Sequence, residues 1–237
     1  MSADNIYSRG PHFYIYIVMY FGAILYLSAS TVITAREFQN RSRLLIYPLI
    51  LFVMAETIIQ VSLPELHVTW LCVTLLSVLY FIYCSEMWNQ LDALTGLLNQ
   101  NSYLKQTGGV RCKGGVLVVF DVDDFKQIND RYGHIQGDLC LAGIAECIKK
   151  SYANFGYCYR IGGDEFCVLL KNGGNEGRCK QEFLQRLQEK RGEIAFLPTV
   201  SYGSAPFSGE DIVKVKDRAD QDMYQYKKER KNRKRLS

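Results

Sequence analysis
The stretch Arg160-Ile161-Gly162-Gly163-Asp164-Glu165-Phe166 decides the fold of this chain. Two glycines separate two apolar runs. Tyr157, Cys158, Tyr159 and Ile161 lie on one side, and Phe166 to Leu170 lie on the other. Aromatic and branched residues on both sides of a Gly-Gly pair predict a β-hairpin. The hairpin places Asp164 and Glu165 at its tip, with their charge exposed. A second acidic pair, Asp121 and Asp123, follows another apolar run, Val116 to Phe120. Carboxylates at two strand ends suit a divalent cation acting on phosphates.

Outward from the hairpin, helices and strands alternate. Helices are predicted over Leu97 to Gln106, Asp124 to Tyr132 and Asp138 to Tyr152. In the last of these Leu141, Ile144, Ala145 and Ile148 share one face. A strand is predicted over Val116 to Asp121. After the hairpin come a helix near Cys179 to Lys190, a strand at Thr199 to Ser204 and a helix over Asp211 to Arg230. This order predicts an α/β fold, a central sheet flanked by helices.

The N-terminal third differs in composition. Phe13 to Thr34 carries no charge and is long enough to cross a bilayer, which takes about 20 residues. Leu44 to Val61, with Pro48 and Glu56 inside, and Leu66 to Cys84 are two further candidate spans. Tyr14, Tyr16, Trp70, Tyr80, Tyr83 and Trp88 lie toward segment ends, as interfacial aromatics do. Arg36, Arg41 and Arg43 lie between the first two candidates, and no Lys or Arg lies between the second and third. The positive-inside rule then places the N-terminus outside and everything after Ser85 in the cytoplasm. The first apolar stretch is long for a cleaved signal peptide, despite the small residues Ser28-Ala29-Ser30. Glu56 is costly in lipid and is expected to face another helix or to be protonated. The expected organisation is a three-helix transmembrane region over 1–84, a stiff helical linker over 85–91, a catalytic domain over 92–233 and a basic tail at 234–237.

Composition narrows the partners. A net charge of +4 over 237 residues is mild, and its basic excess gathers in Lys227 to Arg235, so nucleic acid is not an expected partner. The 8 cysteines form no Cys-x-x-Cys pair and the chain has 3 histidines, which argues against a zinc site. Reduced cysteines used as small apolar residues are expected.

The motifs outside the hairpin carry a resemblance. Asp92-x-Leu94-Thr95-Gly96-Leu97-x-Asn99 opens the soluble part. Asp121-Val122-Asp123-x-Phe125-Lys126-x-Ile128-Asn129-Asp130 continues into Gly133-His134-x-x-Gly137-Asp138. Gly162-Gly163-Asp164-Glu165-Phe166, Ser201-x-Gly203 and Ala219-Asp220-x-x-Met223-Tyr224 follow in order. Over about Asp92 to Arg233 the chain resembles the GGDEF-domain diguanylate cyclase family. The resemblance implies a sheet like those of nucleotide cyclases and polymerase palms. It implies condensation of two GTP into cyclic di-GMP with release of two pyrophosphates, by a homodimer in which each subunit binds one GTP. Effectors of cyclic di-GMP would act downstream.

The resemblance also assigns residues. Asp121, the carbonyl of Val122, Asp164 and Glu165 would hold Mg2+ or Mn2+. Asp164 would take the 3′-hydroxyl proton, and Lys126 would stabilise phosphate charge. Asn129 and Asp138 would read guanine, His134 would contact substrate, and Gly162 and Gly163 would let backbone approach the phosphates. Lys227 and Lys231 would bind phosphate. Most have a plainer alternative: an exposed acidic turn for the carboxylates, a solvated helix face for Lys126, a helix surface for Asn129, a helix N-cap for Asp138, a structural turn histidine for His134, a solvated charge run for Lys227 and Lys231.

Three departures stand out. Lys231 replaces the usual arginine, and Arg230 the glycine before it, so charge is kept but the guanidinium fork is lost at 231. Arg230 or Arg233 is a candidate substitute, and the basic run is equally suited to anionic lipid headgroups. Gln100 stands where arginine is usual. Ala153 and Gly156 occupy the ends of the family's Arg-x-x-Asp product-inhibition motif, so inhibition through that site is not expected.

Overall fold
β1, Gly115–Val122, is the axis of a four-stranded antiparallel sheet of order β2-β3-β1-β4, with β2 at Gly156–Arg160, β3 at Glu165–Leu170 and β4 at Val200–Phe207. The computed structural model describes residues 69–108, 114–171 and 173–236, with scattered positions between 14 and 62. The chain divides into two compact units, Met1–Asn89 and Gln90–Ser237.

In the second unit the helices are α2 (Gln100–Thr107), α3 (Phe125–Tyr132), α4 (His134–Tyr152), α5 (Glu176–Glu193) and α6 (Ile212–Leu236). The period of two along β1 explains the layering. Val116, Val118, Phe120 and Val122 join one buried cluster with Leu141, Ile144 and Ile148 of α4 and Phe183 and Leu187 of α5. Leu117 and Val119 join the other with Tyr103 of α2 and Val215 and Ala219 of α6. A strand buried on both faces needs a near-continuous apolar run, which is what 116–120 supplies. Cys140, Cys147, Cys158, Cys167 and Cys179 are free and buried, and burial pushes the Cys158 thiol up to about 12. They pack as small apolar groups.

The structure moves several predicted boundaries. α4 begins at His134 because Gly133, at φ 86°, ends α3 and starts the next helix at once. Asp138 therefore lies inside α4 and is not an N-cap. Glu165 is the first residue of β3, in register with Asp121, so only Asp164 remains in the turn. β4 continues past Ser204 through Pro206, which an edge strand tolerates. α5 and α6 are longer than their apolar faces suggested, extended by charged turns at their ends.

The segment before α2 is built by its own side chains. Asp92 accepts from the Thr95 N–H (2.9 Å) and hydroxyl (2.6 Å). Gly96 turns the chain at φ 63°, and Asn99 caps α2 by accepting from the Ser102 N–H at 3.0 Å. Leu98 then bonds along β2, accepting from the Arg160 N–H and donating to the Cys158 carbonyl, which covers that sheet edge.

Burial pushes the Asp92 carboxyl up, but its hydrogen bonds from Thr95 and Arg160 outweigh this and hold it below its ordinary value of 3.8. A depressed carboxylate contributes stability above its unfolded pKa and loses it as pH falls through the folded one. Asp92→Asn is therefore expected to cost about 1–2 kcal/mol at neutral pH, with the gap from the parent closing below about pH 3.8. Thermal melts of both proteins from pH 7 to pH 3 check this; a gap independent of pH would remove the charge from the explanation.

In the first unit α1 spans Thr69–Trp88 and covers most of the third expected span, 66–84. The described positions of the first two, 13–34 and 44–61, are helical, while Glu56 and the arginines at 36, 41 and 43 lie outside the described residues. Among the described residues no helix is long and apolar enough to cross a membrane. The expected rod over 85–91 stops at Trp88. Asn89 and Gln90 form a turn, and the Gln90 carbonyl accepts from the Asn99 N–H and the Ser102 hydroxyl.

Candidate active site
Asp121 stands at the end of β1 on the face toward α6. The register that pairs Val119 with Cys167 and Phe120 with Phe166 carries it opposite Glu165. One residue on, the Val122 N–H donates to the Asp164 carbonyl at 3.2 Å. Antiparallel pairing thus joins two acidic sites 43 residues apart, Asp121 and Asp164, at one end of the sheet.

The hairpin turn is held from beneath. Arg160 donates through Nε (3.3 Å) and Nη2 (2.7 Å) to the Gly163 carbonyl, and through Nη1 to Asp92 at 3.0 Å. The Ile161 and Gly162 N–H groups both donate to the Glu165 carbonyl. A Cβ on Gly162 would press on the Glu165 side chain at 3.2 Å, so glycine keeps the turn narrow. Asp164 is half-buried, and Gly163 and Glu165 are exposed.

α6 brings a cation to this end. Lys227 Nζ lies 2.5 Å from Asp121 Oδ1 and 3.5 Å from Asp123 Oδ1. Burial lowers its pKa, but the hydrogen bond to Asp121 and the charges of both aspartates outweigh that and hold it above the ordinary lysine value. Asp123 is buried and fully partnered. Its Oδ2 accepts from the Thr199 hydroxyl (2.8 Å) and lies 3.0 Å from Arg230 Nη1, and its Oδ1 accepts from the Ser201 hydroxyl (2.7 Å).

The residues expected to read the base lie on α3 and the start of α4. Lys126, His134 and Asp138 are exposed. Asn129 packs against Gly137 so closely that a Cβ there would overlap Asn129 Oδ1, and this oxygen is buried without a hydrogen-bond partner. The structure thus brings Asp121, Val122, Asp164, Glu165 and Lys227 together, and separately Asn129 with the turn before Asp138. No hydrogen bond or ion pair links Lys126 or His134 to the acidic end among the described residues. The side chain of Lys231 lies outside the described residues. Sequence reasoning gave Thr199 no role beyond opening a strand and gave Asp123 no partner. A buried carboxylate needs donors, and the hydroxyls before and within β4 were the available signal.

Among the described residues no group of three or more His, Cys, Asp or Glu side chains gathers closely enough to hold an ion. The oxygens present still fit one. Divalent magnesium uses one or two carboxylates and completes its shell with phosphate and water. The ammonium of Lys227 against Asp121 shows that this oxygen accepts a cation.

The chain is similar to several known proteins. The diguanylate cyclase DgcS of Shewanella oneidensis is 32% identical over 154 residues, covering 62% of this chain and 52% of its own. The diguanylate cyclase DgcZ of Escherichia coli is 29% identical over 165 residues, covering 65% and 55%. The chain thus spans about half the length of these curated relatives. The crystal structure of the diguanylate cyclase SiaD of Pseudomonas aeruginosa, in complex with its activator SiaC, is similar in fold at 22% identity, with TM-score 0.54 over 91% of this chain and 83% of that one. The family model described as diguanylate cyclase, GGDEF domain, matches residues 89–233, more than half of the chain. With the antiparallel sheet and the Gly-Gly-Asp-Glu-Phe turn at its acidic end, the chain belongs to the GGDEF-domain diguanylate cyclase family.

Proposed function
We propose that this chain condenses two GTP into cyclic di-GMP, releasing two pyrophosphates, as a homodimer anchored in the cytoplasmic membrane with its catalytic unit in the cytoplasm. The observation that carries the reading is the acidic strand end bearing a bound ammonium: Asp121 in register with Glu165, beside Asp164, with Lys227 laid across it. Such a strand end accepts a cation beside the Gly-Gly turn.

Asp121, the Val122 carbonyl, Asp164 and Glu165 would hold Mg2+ or Mn2+. The ion, when bound, offsets charge on the phosphates and lowers the pKa of the attacking hydroxyl. Asp164 receives the proton of the 3′-hydroxyl as its oxygen forms a bond to the α-phosphorus of the other GTP. The bond from that phosphorus to the pyrophosphate oxygen breaks. Lys227 and Lys231 hold phosphate oxygens, and Lys126 faces the charge that develops during transfer. Asn129 and Asp138 read guanine, with His134 near them. The unpaired buried oxygen of Asn129 costs about 1–3 kcal/mol, which a nucleobase donor would recover.

Membrane anchoring is supported by the uncharged run 13–34 and by the arginines at 36, 41 and 43. Pairing through that region would bring two half-sites face to face.

The test is cyclic di-GMP formation by the full chain from GTP and Mg2+. Turnover is expected, with a rate per subunit that rises with protein concentration until the dimer is full. GTP binding without product would favour the second reading, a GTP-binding regulator of a partner. Lys231 in place of the guanidinium is the feature that favours it.

Added product is expected to leave initial rates unchanged through the Arg-x-x-Asp position. Gly156 opens β2, where a Cβ would overlap the Leu169 carbonyl oxygen, so an aspartate cannot enter without moving backbone. Rates measured with and without excess cyclic di-GMP check this. Inhibition relieved by a substitution among Ala153 to Gly156 would overturn it.

A further inference from the structure
Lys227 and Arg230 lie one turn apart on α6 and share Asp123, while Lys227 also reaches Asp121. Asp121 is half-buried, whereas the Asp123 side chain is only 9% exposed. The more buried carboxylate has the stronger claim on any nearby cation, because its charge is least screened by water. Yet Lys227 sits closer to Asp121, at 2.5 Å, than to Asp123, at 3.5 Å. Asp123 already holds a cation on the oxygen other than the one nearest Lys227. Arg230 Nη1 lies 3.0 Å from Asp123 Oδ2 and donates to the Val200 carbonyl at 3.2 Å. The other cation that feels the charge of Asp123, Arg191, is directed at the Pro198 carbonyl at 3.4 Å.

We infer that Arg230 is a positioning residue: by neutralising buried Asp123 it keeps Lys227 from being drawn further there and holds it at Asp121, where the substrate phosphates are proposed to bind. The inference rests on the phosphate role proposed for Lys227 and goes beyond it, since it assigns a task to Arg230 at a position where the resembling pattern has glycine. It also excludes Arg230 as the replacement for the missing guanidinium at 231, because its Nη1 is committed to Asp123 and to β4.

The experiment uses the full chain and 3′-deoxy-GTP, which binds but lacks the attacking hydroxyl. Arg230→Gln keeps a donor for the Val200 carbonyl and loses the charge. It is expected to weaken binding of the analogue by about 10-fold, the lower end of what losing a supporting partner costs a site. Arg230→Lys restores the charge and is expected to bind within about twofold of the parent, a small fraction of that loss. The deciding arm is Asp123→Asn with and without Arg230→Gln. If Arg230 acts through Asp123, removing the aspartate charge makes the arginine dispensable, and the two proteins bind alike. An equal 10-fold loss in both backgrounds would overturn the inference and place Arg230 on the phosphates directly. Thermal melts accompany each variant. A weakened Arg230→Gln whose loss persists in the Asp123→Asn background with a lower melting temperature would overturn it in favour of helix docking. Failure of the parent to bind the analogue at all would instead sink the proposed function.

Discussion

Asp164→Ala is expected to lower cyclic di-GMP formation by about 10²- to 10⁴-fold, the range for removing a group that moves a proton in the transition state. The loss is expected in kcat, because the carboxylate acts where charge changes during the reaction and binds little of the guanine or the ribose. The fold has no stake in this side chain. Asp164 is half-buried in the turn, and its contact to β1 is made by its backbone carbonyl, which alanine retains. Its backbone is not left-handed, so alanine adds no strain. Melting should therefore shift by no more than about 0.5 kcal/mol in stability, as for a surface change. Retained synthesis in a variant that still melts with the parent would remove Asp164 from the chemistry.

The second large effect is structural. Gly203 lies in β4 where α6 crosses it, and a Cβ at 203 would overlap the Ala219 carbonyl oxygen and the Met223 nitrogen. These are backbone atoms and cannot rotate away. Gly203→Ala is therefore expected to cost about 3 kcal/mol, the upper end for overpacking a filled site. For a chain of this size that lowers the melting temperature by about 6–12 °C. Gly177→Ala is the control. Nothing lies within 4 Å of its added Cβ, and it sits in α5, so a neutral or slightly stabilising change is expected. Because α6 carries Lys227 and Arg230, lifting it from β4 should also weaken GTP binding. A Gly203→Ala protein that melts with the parent would mean that α6 does not lie this close to the sheet.

These two residues show how differently sequence and structure bear on the protein. Asp164 was legible at once, because its signal is local: a Gly-Gly turn between apolar runs with carboxylates following. The strand over 116–120 and the apolar face of α4 were legible for the same reason, since a short continuous apolar run or a period of 3.6 is contained within a few turns of chain. The segment from Asp92 to Asn99 was recognisable as a motif, yet its use became clear only with Thr95, Arg160 and Ser102 around it. Gly203 belonged to a recognised pattern too, but nothing beside it in the chain says that a helix backbone passes over it.

The sequence by itself determined the alternation of elements, the antiparallel hairpin and the two acidic strand ends, because each depends on side chains a few residues apart. The tertiary structure decided which carboxylate is buried, which cation each one holds and where Glu165 lies. Lys227 reaches Asp121 across 106 residues, and Thr199 reaches Asp123 across 76. No local spacing encodes such pairs. They follow from the register of β1 with its two neighbours and from the close seat of α6 on β4, and those are set by how the two apolar faces of the sheet fill against their helices.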